Sequence, residues 1–175
     1  MSAREQIIDA AMAVVREQGV AKLTLDAAAK QAGLSKGGVL YHFKTKDDLI
    51  RGMVERLLNQ CDTLHYRYYA EEAEGPYRWA RTVVRTAFDP EGPASDKVAG
   101  ALLASITINA DLVAPIQAKF DQWVQRINSD SPNPALAALI CMAMDGYFFE
   151  RIMGLNLCDE EGLRAIQQTA LDLLK

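Results

Sequence analysis

The stretch "TLDAAAKQAGLSKGGVLYHFKTKDDLI", residues 24–50, decides how this chain folds. Thr24 precedes LDAAAKQA, eight residues rich in strong helix formers, and Gly33 supplies the stop. Ser35 then caps a second short helix, Lys36 to about His42, and Thr45 opens a third with Asp48 at the capping-box position. Helix, tight turn, helix is a helix-turn-helix. One detail resists that pattern: Gly37 and Gly38 stand together inside the short helix, where glycine costs up to about 1 kcal/mol relative to alanine.

On a helical wheel Val39, Leu40 and Phe43 turn inward, while Gly37, Gly38, Tyr41 and His42 share another face. Two readings follow. Side-chain-free positions let the backbone approach the base edges of a major groove, with Tyr41 and His42 donating to phosphates and Lys36 reaching a phosphate or a guanine. Equally, the glycines let this helix pack tightly against the first one.

Charge supports a polyanion site, though the whole chain of 175 residues is acidic, with a net charge of −4. Between Lys22 and Lys46 lie five lysines (Lys22, Lys30, Lys36, Lys44, Lys46) and one acid, Asp26; residues 51–175 carry 12 basic and 17 acidic side chains. A basic segment on an acidic body is how a localised nucleic-acid site reads, although a solvated face gives the same count.

Outward from the motif, nearly every segment keeps helical periodicity and no alternating strand is found, so an all-α fold of about nine helices is expected. "SARE" at the start is a capping box, and Ile7, Ile8, Ala11, Val14 and Val15 stripe a first helix that stops at Gly19. The helix from Thr45 is long, with Ile50, Met53, Val54, Leu57, Leu58, Cys61, Leu64 and Tyr68 on one face, and ends near residues 72–76. Further helices are predicted at 77–88, 95–109, 111–129, 134–155 and 159–174, separated by turns at 89–93 and 129–134 too short to be linkers.

These motifs resemble the helix-turn-helix of tetracycline-repressor (TetR) family transcriptional regulators. The likeness lies in the Thr before an alanine-rich helix, "AGLS", a glycine two residues after that Ser, "YHF" and "KTKDDL". It spans residues 4–50; the rest matches in length and helical pattern. The resemblance implies a three-helix DNA-binding domain over 1–45 and a ligand-binding and dimerisation domain over 46–175. It implies phosphate contacts at Thr24, Ser35, Tyr41, His42 and Lys46, and approach to bases at Lys36, Gly37 and Gly38. Many members carry tyrosine where this chain has Leu40; here tyrosine stands one position later, at 41.

In the body, helix 134–155 is apolar on nearly all sides until Glu150, and helix 159–174 carries the stripe Leu163, Ile166, Ala170, Leu173 and Leu174. Two such helices from each of two chains make a four-helix bundle, the homodimer arrangement the family uses. Asp145 sits among Ala138, Cys141, Met142, Phe148, Phe149 and Ile152, so its carboxylate needs a partner or a proton. A structural bond satisfies it as well as a cationic ligand does. Candidate ligand-binding residues are Trp79, Phe88, Ser105, Asn109, Trp123, Met142, Asp145 and Phe149, although core packing accounts for the aromatics too, and Asn109 can cap a helix end.

No cofactor is implied. The histidines are two, His42 and His65, with no H-E-x-x-H, P-loop, nucleophile elbow or ligand-spaced Cys/His cluster, which argues against an enzyme. Cys61, Cys141 and Cys158 form no C-x-x-C pair and read as reduced, inert thiols. No apolar run reaches membrane-spanning length and no signal peptide is visible, so a soluble, cytoplasmic protein is expected. The expected function is a repressor released from a palindromic DNA operator by a small apolar molecule, cationic or neutral. A DNA-binding dimer with a solidly packed body is the alternative.

Overall fold

The computed structural model describes residues 1–90, 92 and 97–175; the side chains of residues 97, 104, 107, 108 and 110 are outside that description. Nine α-helices and no strand occur among the described residues: α1 (Ala3–Gln18), α2 (Leu25–Ala32), α3 (Lys36–His42), α4 (Lys46–Glu71), α5 (Arg78–Ala87), α6 (Lys97–Ile108), α7 (Ala114–Ser129), α8 (Pro134–Met153) and α9 (Glu160–Leu173). The predicted all-α class holds. The predicted start of the sixth helix at 95 and part of the 89–93 turn lie outside the described residues. The seventh helix begins later than expected because Ala110–Leu112 closes a separate 3₁₀ turn. The eighth ends earlier because Gly154, at φ +68°, donates back to Arg151 and Glu150 as a left-handed cap.

Two compact units are present, Met1–Asn59 with Asp96–Ala118, and Gln60–Ser95 with Lys119–Lys175. The first is built by capping and burial together. Ser2 accepts from the Glu5 amide at 3.2 Å while Glu5 accepts from the Ser2 amide at 2.8 Å, starting α1. Ile7, Ile8, Ala11 and Val14 of α1, Leu23, Ala28 of α2, Val39 and Phe43, and Leu49 and Met53 of α4 fill its core, joined by Val98, Leu102 and Leu112. Gly52 of α4 lies against this core so closely that a Cβ would stand 3.0 Å from the Phe43 ring.

The second unit has its own core of Tyr77, Ala80, Val84, Ile127, Ala137, Ile140, Met144, Ala170 and Leu174. Its polar interior is organised around carboxylates. Asp62 accepts from Lys119 Nζ at 3.1 Å, Trp123 Nε1 at 3.0 Å and Arg126 at 2.6 Å. Buried Glu72 pairs with Arg81 at 3.1 Å and with Arg85, and buried Asp89 accepts from Arg67 at 2.9 Å and Tyr68 at 3.1 Å. Tyr77 takes a left-handed φ of +58°, uncommon without glycine. Its amide donates to the Asp130 carbonyl at 2.9 Å, and its hydroxyl accepts from the Asn133 amide at 3.1 Å.

His65, edge-on to Trp123 with centroids 5.1 Å apart, belongs to the Asp62 group. Burial lowers its pKa to about 4; the Asp62 carboxylate opposes this and the Arg126 guanidinium adds to it. For Asp62, burial pushes upward, but the bonds from Arg126, Trp123 and Lys119 outweigh it and hold the carboxyl at about 2. Both groups bind protons less readily folded than unfolded, so stability falls as pH falls. The His65 window runs from 6.5 down to about 4, and Asp62 adds a second from 3.8 down. Between pH 7 and 4.5 the melting temperature should therefore drop, with a loss of roughly 1–3 kcal/mol. In His65→Phe that slope should flatten; an unchanged slope, measured by calorimetry, would assign the acid sensitivity elsewhere.

Candidate nucleic-acid interface

Thr24 starts α2 by accepting the Ala27 amide at 2.9 Å, and Ser35 starts α3 by accepting the Gly38 amide at 3.1 Å. Gly33, at φ +67°, turns the chain between them in a conformation that disfavours any residue with a Cβ. Both cap hydroxyls keep their own hydrogen free to donate outward, since capping uses them only as acceptors. Lys36, the first residue of α3, lies 3.1 Å from the Asp26 carboxylate in the first turn of α2. That pair puts two helix N-termini side by side, with backbone amides and positive dipole ends on one surface, the combination that suits phosphate.

On α3 the wheel is realised. Val39 and Phe43 are buried and Leu40 is half-buried, while Tyr41 is 77% exposed and meets His42 edge-on at 5.0 Å. The two glycines are explained by what surrounds them. A Cβ at Gly37 would meet only the Ser35 hydroxyl at 4.0 Å, and one at Gly38 the same atom at 3.4 Å. No other helix packs there, which corrects the reading that they let α3 press against α1. A close helix contact at a glycine is found at Gly52 instead, where a Cβ would stand 3.4 Å from Ile8 of α1.

Lys46, predicted to face phosphate, donates to the Val20 carbonyl at 3.2 Å, which leaves two of its three ammonium hydrogens for another acceptor. Lys22, Lys30 and Lys44 are exposed. The structure thus gathers Thr24, Ser35, Lys36, Gly37, Gly38 and Asp26 into one surface. Asp26 escapes a sequence reading as a site residue because one acid among five lysines looks like noise in a charge count.

The candidate ligand residues are divided between the two units. Ser105 and Asn109 belong to the first unit, where Ser105 donates to the Ala101 carbonyl at 3.2 Å and Asn109 to Asp47 at 2.8 Å. In the second unit Trp79 stacks on Tyr69 at 3.9 Å, with the Arg126 guanidinium 5.4 Å from the Trp79 ring. Phe88 stacks on Tyr147 at 4.7 Å, and Trp123 donates to Asp62. Met142, Asp145 and Phe149 share an exposed stripe of α8 with Leu139 and Met153. Apolar neighbours raise the Asp145 pKa by desolvation. Between α8 and α9 lies a shallow groove of about 300 Å³ lined by Ile140, Met144, Ile166, Ala170 and Leu173; none of the eight candidates lines it.

Sequence reasoning chooses Asp145 as the carboxylate of interest and passes over Asp62. The reason is distance along the chain: the three donors that hold Asp62 lie 57–64 residues away, and no local pattern on α4 announces them. Burial pushes the Cys61 thiol up to about 11 and the Cys141 thiol up to about 12, which makes them poor nucleophiles. Among the described residues no group of His, Cys, Asp and Glu is placed to hold a metal ion, and no helix is long and apolar enough to cross a membrane.

An all-helical chain that presents a capped helix-turn-helix on a basic surface has the build of a helical DNA-binding protein. Residues 7–53 match the family model described as bacterial regulatory proteins, tetR family, and residues 77–175 match that of the tetracyclin repressor-like C-terminal domain. The chain belongs to the TetR family. The transcriptional regulator BetI of Stenotrophomonas maltophilia is 35% identical over 86 residues, 49% of this chain and 44% of that protein. The regulator TtgR of Pseudomonas putida is 30% identical over 86 residues, 49% of this chain and 41% of its own. These matches span less than half the length of those relatives. Among solved structures, a TetR-family regulator from Rhodococcus sp. superposes with a TM-score of 0.73 at 18% identity over 98% of both chains. The multidrug binding protein EbrR, complexed with ethidium, gives 0.72 at 21% over 97% of this chain and 98% of its own.

Because nothing packs on Gly37, alanine there should stabilise the fold by up to about 1 kcal/mol through helix propensity. The same methyl should weaken binding to DNA by holding the helix off the base edges. Gly37→Ala should therefore melt higher and bind more weakly, read by thermal unfolding and by titration of a labelled duplex. Tighter DNA binding in this variant would refute the close approach.

Proposed function

We propose that this chain is a ligand-responsive transcriptional regulator, a homodimer whose residues 1–45 bind a palindromic DNA operator. Residues 46–175 then carry the dimer contact and the site for a small apolar molecule. The observation that carries the DNA half is the α2–α3 surface, where two capped helix N-termini and Lys36 lie beside a glycine pair whose Cβ positions only the Ser35 hydroxyl approaches. Thr24, Ser35, Tyr41, His42 and Lys46 serve the backbone phosphates; Lys36, Gly37 and Gly38 approach the bases.

For the dimer, the support is the exposed face of α8 and α9. Leu139, Met142, Phe149 and Met153 on α8, with Ile166 and Leu173 on α9, are each 37–70% exposed in the single chain. Large apolar patches of this kind mark interaction sites. A two-fold pairing of α8 and α9 buries them in a four-helix bundle and sets two recognition helices about 34–36 Å apart on successive major grooves. Met142, Asp145 and Phe149 then belong to this contact, which leaves Trp79, Phe88 and Trp123 as the aromatic candidates toward a ligand. That EbrR was solved with ethidium supports a small-molecule ligand for this chain as well. A ligand that prefers the DNA-free state lowers operator affinity by its differential affinity for the two states, which is repression relieved by an inducer.

Three measurements test this. The purified protein should bind the DNA upstream of its own gene about 1,000-fold or more above a scrambled duplex, one dimer per site. Light scattering should show a dimer, and Met142→Glu should yield a folded monomer with operator affinity reduced at least about tenfold, because one helix-turn-helix makes half the contacts. Ethidium at about 100 times its Kd should raise the melting temperature by several degrees. Equal binding to both duplexes, a monomeric wild type, or an unmoved melting temperature would each remove the corresponding part of the proposal.

A further inference from the structure

Asp26 is an anomaly on the surface described above. It is the only acid between Lys22 and Lys46, and it stands where a polyanion is to dock. Its side chain and that of Lys36 are each 65% exposed, and the Lys36 Nζ lies 3.1 Å from both of its carboxylate oxygens. Exposed ion pairs contribute little to stability, so fold energetics does not require the pair. An acid in the first turn of α2 suits the helix dipole, and Asp26 is the place for it there because Leu25, Ala27 and Ala28 pack into or against the core; the dipole does not, however, require the close approach of Lys36.

The chemistry of the groove gives the pair a use. A carboxylate only accepts hydrogen bonds and an ammonium only donates them. In the major groove, cytosine offers its N4 amino group as donor, and guanine offers O6 and N7 as acceptors. An acceptor and a donor held side by side therefore complement the two halves of one G·C pair. Lys36 is followed at once by Gly37 and Gly38, with no side chain to hold this end of α3 away from the base edges.

Resting on the DNA-binding reading, we propose that Asp26 and Lys36 act as a joint specificity element. Lys36 donates to guanine and Asp26 accepts from the N4 amino group of the paired cytosine, at one G·C pair in each half-site. Away from that pair, the same carboxylate keeps Lys36 neutralised and repels phosphate, so non-specific binding is weak. Asp26 is thus a discriminating residue and not an affinity residue. Removing its charge makes the protein bind more DNA and distinguish less of it.

The test is selection from a randomised duplex pool with the full-length wild type, Asp26→Asn and Lys36→Ala, beside salt titrations on a non-specific duplex. The wild type should enrich a G·C pair at symmetric positions. Asp26→Asn should lose the cytosine preference there by roughly fivefold or more, with adenine gaining because asparagine pairs with its N6 and N7. Its affinity for non-specific DNA should rise, with a salt slope steeper by about 0.9 as Lys36 becomes free for one phosphate. Lys36→Ala should relax the same base pair. A merely structural ion pair would leave base preference unmoved in Asp26→Asn.

A common consensus with unchanged weights and unchanged non-specific affinity in Asp26→Asn would overturn this assignment and leave the DNA reading intact. A wild type that enriches no sequence would overturn both. Asp26→Ser, which keeps a small helix-starting side chain, provides the same comparison if the asparagine variant proves unstable.

Discussion

Everything at the α2–α3 surface depends on the burial of Val39 and Phe43. Those two side chains are the inward face of a seven-residue helix that has two glycines among its first three residues. Such a segment does not hold a helix by itself in water, since even alanine-rich helices shorter than about 12–15 residues are marginal. Val39 is fully buried, and Phe43 lies under the Arg4 guanidinium, 5.4 Å from its ring centroid, against the bare backbone of Gly52. α1 and α4 are tied around it by Arg4–Glu55 at 3.0 Å and Arg56–Asp9 at 3.2 Å. The hydrophobic anchor frees the opposite face from core packing.

That division of labour accounts for the composition of the motif. One face of α3 is as apolar as a core strip; the other carries glycine, tyrosine, histidine and lysine, and its lysine pairs with Asp26 of α2. The caps leave something over: Thr24 and Ser35 satisfy orphan amides at helix starts as acceptors, and each hydroxyl retains a hydrogen to donate. The second unit shows the same economy with carboxylates. Asp62 gathers donors 57–64 residues away and buried Asp89 donors 21 and 22 away, while buried Glu72 pairs with Arg81 and Arg85 of α5.

The helix-turn-helix was legible because its signals are local. Caps, the Gly33 turn and the apolar stripe lie within a few residues of one another, and each falls within a residue of where local chemistry puts it. What could not be read depends on chain-distant contacts. The Asp62 cluster joins residues 57–64 apart, the left-handed Tyr77 is held by Asp130 and Asn133, and the two explanations of Gly37–Gly38 differ only in what lies outside the helix. The ligand candidates rest on residue type, since helical periodicity gives a side chain's angle around its own axis but not which neighbour it meets.

The glycine pair has one more consequence. On the proposed DNA-binding function, a recognition helix with so little intrinsic propensity borrows its rigidity from the core beneath it, and that rigidity helps set how sharply it distinguishes similar partners. Substitutions at Val39 or in the Phe43 seat, far from any nucleotide, would then show first as blurred sequence preference while the protein remains folded. Genetic screens for operator-recognition mutants in this chain would collect core positions alongside surface ones, and the two would be told apart by temperature: lost precision at a softened core returns on cooling, whereas a deleted contact does not.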